Sequence, residues 1–141
     1  MKSSAQRFAI ISIVLSALSA CAASSAYVGQ ESRAIKALSA QDVRGLLEGQ
    51  GMGLPRAAEL NGYPGPMHVL ELARPLALTQ AQHTVTQALM SRHKAEARAL
   101  GAQLVEAERA LDSAFAARTI DPVSLERLLG DIGRLQAAVR A

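Results

Sequence analysis

The apolar positions between residues 78 and 118 recur at helical spacing: Val85, Leu89, Ala97, Leu100, Leu104, Leu111 and Phe115 lie three, four, seven or eight residues apart. No proline intervenes before Pro122. The spacing predicts one helix of about 38 residues, near 57 Å at 1.5 Å per residue. It opens at Leu78-Thr79-Gln80-Ala81-Gln82, where Thr79 suits an N-cap and Gln82 can close a capping box onto it. A helix this long with one apolar stripe needs partners along it, from its own chain or a second copy.

Shorter segments flank it. Ser39-Ala40-Gln41-Asp42 reads as an N-cap, and Val43, Leu46 and Leu47 give a short amphipathic helix ending near Gly49. Pro55 suits the first position of a second short helix, which Asn61-Gly62 stops. After the rigid Tyr63-Pro64-Gly65-Pro66 turn, Met67 to Arg74 resumes helix until Pro75. Beyond the long helix, Asp121 caps a new one with Pro122 at its first position, and Leu125, Leu128, Ile132, Leu135 and Val139 form a seam stepping by three and four. The short connection makes these two helices antiparallel neighbours. The expectation is all-α: a long helical hairpin with short N-terminal helices over one end. Gly101, mid-helix, costs about 1 kcal/mol relative to Ala and marks close approach of another helix or a bend. Leu100, Leu104, Leu111 and Phe115 exceed what a C-terminal helix of about 18 residues can cover, which predicts a homodimer with antiparallel long helices.

Composition supports helices over sheets, since half the residues are apolar while Trp is absent and Tyr and Phe number two each. The amino terminus reads as an export signal: Lys2 and Arg7 form a basic region and Phe8 to Leu18 an apolar one. That apolar run, about 11 residues, is short of the roughly 20 a membrane span needs. It ends in Leu18-Ser19-Ala20-Cys21, which resembles the lipobox of bacterial lipoproteins, and Cys21 is the chain's single cysteine. A lone exported thiol has no intramolecular disulfide partner, which suits a lipidated Cys21. The alternative is an ordinary signal cut after Ala26. In the lipoprotein reading residues 1–20 are signal, 21–38 anchor and tether, and 39–141 the helical domain. Ala22 after the cysteine then suggests the outer membrane of a Gram-negative cell. Removing residues 1–20 takes two cations and no acid, so the net charge falls from +3 to +1 and gives no ground for nucleic-acid binding.

Leu78-Thr79-x-x-Gln82 at the head of a long helix, behind a segment of short helices in an exported chain, resembles the Spy/CpxP family of periplasmic chaperones and stress proteins. The stretch from Gly51-Met52-Gly53-Leu54 through Asn61-Gly62-Tyr63-Pro64-Gly65-Pro66-Met67-His68-Val69-Leu70-Glu71-Leu72 is similar to its periplasmic heavy-metal sensor branch. The resemblance implies an antiparallel dimer of hairpins, a thin cradle whose concave face binds unfolded envelope proteins without ATP. Family members often carry a second Leu-Thr-x-x-Gln, whereas the corresponding turn here reads Ile120-Asp121-Pro122-Val123-Ser124. Arg92, Lys94, Arg98, Arg109 and Arg118 are offset by Glu96, Glu106, Glu108 and Asp112, so the cradle is not strongly basic.

No phosphate loop, nucleophile with a His and acid setting, or closely paired carboxylates stand out, and Glu106 and Glu108 point to different sides of their helix, so no enzymatic activity is expected. Metal binding is the sharper alternative to a chaperone. Met67-His68-x-x-Glu71 puts His68 and Glu71 on one helix face, and His83, Gln87 and Met90 share another. Imidazole with carboxylate or thioether suits Ni, Cu, Co or Zn, although a packed His and a gap-filling Met are commoner outcomes. Met52 between two glycines reads as hinge or core plug. A structural lipoprotein, or a partner of a membrane sensor, uses the same surfaces.

Overall fold

The structure, a computed structural model, describes residues 26–141. The expected signal and Cys21 lie outside the described residues. About 65% of the described residues are helical and none forms a strand. Within the described residues five helices follow in order: α1 (Ala40–Glu48), α2 (Arg56–Glu59), α3 (Pro66–Glu71), α4 (Gln80–Ala116) and α5 (Pro122–Arg140). No described helix is long and apolar enough to cross a membrane.

Local chemistry sets the ends of the three main helices. The Ser39 hydroxyl accepts from the Asp42 N–H at 3.1 Å while Asp42 accepts from the Ser39 N–H at 2.8 Å. Thr79 and Gln82 exchange the same pair of bonds at 3.3 and 2.9 Å. Asp121 accepts from the Val123 and Ser124 N–H groups, and the Ser124 hydroxyl oxygen in turn accepts from the Asp121 N–H. These bonds favour the ionised acids, so the carboxyls of Asp42, through the Ser39 side chain and backbone, and Asp121, through Ser124, are held below the usual range. Gly49 ends α1 in the left-handed region at φ 62°, its N–H bonded back into the last turn.

Packing concentrates on one half of α4. Ile35, Leu46, Leu104, Val105 and Ile132 form the buried core, with Leu38, Val43, Ala107, Leu111, Leu135 and Val139 packed against it. Both α1 and α5 pack on α4, and α3 packs on it as well. The close approach expected at Gly101 is that of α1: a Cβ there would overlap the Leu46 carbonyl and stand 3.1 Å from the Leu46 Cα. Arg98 of α4 adds a side-chain bond to the Glu48 carbonyl at the end of α1, at 3.3 Å.

Three expectations shift. The stretch read as tether is docked over its last residues: Ile35 is 2% exposed, and the Lys36 N–H donates to Asp112 Oδ1 at 3.1 Å. A single isoleucine in a short aperiodic segment carries no pattern, yet its burial anchors the segment. The third short helix stops at Glu71 rather than Arg74, because Pro75 restricts the residue before it and the chain turns through Leu72 to Ala77. Pro55 precedes α2 instead of opening it.

Candidate functional site

The long-helix stripe is covered unequally. Every buried residue of α4 lies between Gly101 and Glu108. The reason is length: α5, with 19 residues, spans about 28 Å against about 56 Å for the 37 of α4, and the short turn at residues 117–121 starts it from the far end. Of the four stripe residues read as exceeding the reach of the C-terminal helix, Leu104 is buried and Leu111 partly buried within the chain's own core. Phe115 stays 52% exposed at the turn.

A second group of exposed apolar side chains is at the opposite end. Val85 (69% exposed) and Leu89 (44%) sit one turn apart on α4 and so share a face. Met67 on α3, and Leu72 and Leu76 in the turn that leads into α4, are also exposed. This half of the molecule also contains the Thr79–Gln82 box, whose side chains bond to each other and whose role is to start the helix. Leu78, just ahead of the cap, is half-buried.

The metal candidates separate into two groups. His68 sits between two carboxylates, Nδ1 3.2 Å from Glu71 Oε2 and Nε2 3.2 Å from Glu59 Oε1. The i to i+3 relation with Glu71 is legible in sequence, whereas Glu59 arrives from α2 through the Asn61–Gly65 turn and sequence reasoning misses it. The only prior signal was that this turn folds two short helices back together. His83 and Met90, half-buried on α4, do not join His68 in any hydrogen bond or ion pair, and Gln87 is exposed. Glu59 and Glu71 face opposite nitrogens of one ring, so a single ion could take one nitrogen and one carboxylate. Among the described residues no group of three or more His, Cys, Asp or Glu is placed to hold a metal ion. A transition metal wants about four ligands, so these residues do not fit a closed site.

One acid stands apart: Glu108 is 7% exposed on α4, and burial pushes its carboxyl above the usual range. It faces the core side of the helix, while Glu106, two residues earlier, is exposed and pairs with Arg109.

A shallow groove of about 360 Å³ lies between α2 and the end of α5, lined by Gly53, Leu54, Arg56, Ala57, Leu60 and Arg140.

Compared with known proteins, residues 12–141 match the family model described as heavy-metal resistance. No curated protein and no solved structure matches the chain.

Proposed function

Because the chain belongs to the heavy-metal resistance family, part of the Spy/CpxP-like group of helical proteins with the LTxxQ motif, we propose that it protects the cell envelope under metal stress by holding unfolded proteins on its exposed apolar flank. The observation that supports this reading is the exposed apolar flank in the first half of α4: Val85 and Leu89 are presented to solvent beside the α3 contact, while all the buried residues of the helix lie further along. Unfolded chains expose apolar side chains, and a rigid apolar surface can shelter them by burial alone, with no catalytic chemistry. In this reading the protein works in the periplasm, held to the outer membrane through a lipidated Cys21, and two copies pair to form a broader surface.

Aggregation of a thermally unfolded client tests it, with no metal added. The wild-type chain should suppress aggregation, and Val85→Ser with Leu89→Ser should lose most of the effect at an unchanged melting temperature, since both side chains are exposed. Equal protection by wild type and variant would sink the proposal.

The family description favours a second reading, direct binding of a heavy metal, for which His68 with Glu59 or Glu71 is the nucleus. Calorimetric titration with Ni, Cu, Co or Zn separates the two. Stoichiometric binding lost in His68→Ala, without client protection, selects the metal reading.

A further inference from the structure

Between α1 and α2 the chain makes a turn whose Leu54 N–H donates to the Gly51 carbonyl at 2.8 Å. Its two central residues, Met52 and Gly53, have φ of 49° and 76°. That pair of positive values is the pattern of a type I′ turn, which Gly, Asn and Asp adopt readily and Met does not. Something must hold Met52 there. Its thioether lies across Gly45 of α1: the place a Cβ would occupy at Gly45 is 2.7 Å from the Met52 sulfur, 3.1 Å from Cγ and 3.3 Å from Cε. Gly45 is buried beneath this side chain, one residue before Leu46, which enters the core and crosses Gly101. The contact therefore links a strained turn to the helix covering the packed half of α4. Met52 is also 43% exposed, so dissolved oxidants reach it.

We propose that Met52 is a modification site, a methionine whose reversible oxidation by a peroxide releases the 51–54 turn from α1. Hydrogen peroxide transfers one oxygen to the thioether: the O–O bond breaks, an S–O bond forms, sulfur loses two electrons and water leaves. The sulfoxide is larger and polar, and it does not fit an apolar contact made against a bare glycine backbone. With that contact gone the left-handed conformation of Met52 has no compensation, and the turn relaxes. The seat of α1 on α4 then weakens, and apolar surface around Leu46 opens to solvent.

Met67 supplies the internal control, because it is similarly exposed but sits on α3, away from α1. The purified full chain is treated with hydrogen peroxide, and oxidation at each methionine is read by peptide mass spectrometry beside amide hydrogen exchange. Oxidised Met52 should raise exchange across α1 about tenfold, the scale set by losing compensation for one left-handed residue. Exchange within α5 should stay as it was. Met52→Leu keeps the apolar contact and should abolish the response, while methionine sulfoxide reductase should restore slow exchange in the wild type. Complete oxidation of Met52 with unchanged α1 exchange would overturn the proposal, as would an equal response in Met52→Leu, which would assign the effect to Met67 or Met90.

Discussion

Replacing Gly101 by Ala tests the crossing of α1 over α4. In an exposed helix interior this change stabilises by up to about 1 kcal/mol, because Ala loses less backbone freedom and has the higher helix propensity. Here the added Cβ meets backbone, overlapping the Leu46 carbonyl, with the Leu46 carbonyl carbon at 2.7 Å and Cα at 3.1 Å. A backbone carbonyl cannot rotate aside as a side chain can. Relief requires α1 to lift, drawing Leu46 out of the core, where burial of such a side chain is worth about 1.5–3 kcal/mol. Overpacking costs about 1–3 kcal/mol, and a clash with backbone lies at the upper end, so after a propensity gain of about 1 kcal/mol the net is about 2 kcal/mol of destabilisation. For a domain of this size that lowers Tm by about 10 °C. The matched control is Gly133→Ala on α5, where nothing lies within 4 Å of the added atom and the substitution should raise Tm. Thermal melts followed by circular dichroism give both values, and the opposite signs are the point. A Tm increase in Gly101→Ala equal to that in Gly133→Ala would show that α1 does not press on α4 there.

The cap that opens α4 should follow similar logic: Thr79→Ala loses the hydroxyl that accepts the Gln82 N–H and should cost about 1 kcal/mol in urea denaturation. Leu78→Ala, at a half-buried position, should cost at least as much through packing, and a Leu78→Ala variant that keeps its stability but loses client protection would make the motif a binding surface. Ala77 and Arg118 take φ of 49° and 55° at the turns before and after α4, so Ala77→Gly and Arg118→Gly should each stabilise by about 1 kcal/mol, read as a rise in denaturation midpoint. Burial raises the Glu108 carboxyl, so its ionised form weakens the fold at neutral pH and that cost fades as pH falls and the acid protonates in place; Asp42 and Asp121, lowered by their caps, do the reverse, and their stabilisation is lost as pH falls through their folded values. Glu108→Gln should therefore raise stability at pH 7 and leave the acid-side loss intact, which denaturation midpoints across pH will check. If Cys21 carries lipid, Cys21→Ser should move the protein from the membrane fraction and abolish acyl labelling, and an unlabelled wild type would remove the anchor from the proposal.

What the sequence made legible was short-range. Ser39 with Asp42, Thr79 with Gln82 and Asp121 with Ser124 are each three residues apart, so cap chemistry is complete within one turn and no distant contact can hide it. Gly49 and Gly101 were visible because a glycine in or after a helical pattern has few explanations. Long-range partners were the part that stayed dark. The docking of Ile35 depends on a pocket built from α1, α4 and α5, and no local spacing encodes it. Glu59 reaches His68 only because the intervening turn closes, and a turn signal does not state which side chains will meet. The apolar stripe of α4 was legible as a stripe, but which half is buried depends on the length of α5 and the docking of α1, which are global quantities.

That unequal covering has a consequence for how stability and binding relate along one helix. Residues 101–108 of α4 make the buried contacts, and substitutions there act on the whole fold. Residues 80–100 contribute no buried side chain, yet they are held helical by propagation from the packed half, by the lighter packing of α3 and by the Thr79–Gln82 box at their outer end. The cap thus matters most where tertiary support is least. A helix with a bare apolar face would fray in isolation, and fraying would scatter Val85 and Leu89; fastening its outer end keeps the two on one face while leaving both exposed. This gives the capping pair a physical reason to sit where it does, at the head of the surface proposed to bind.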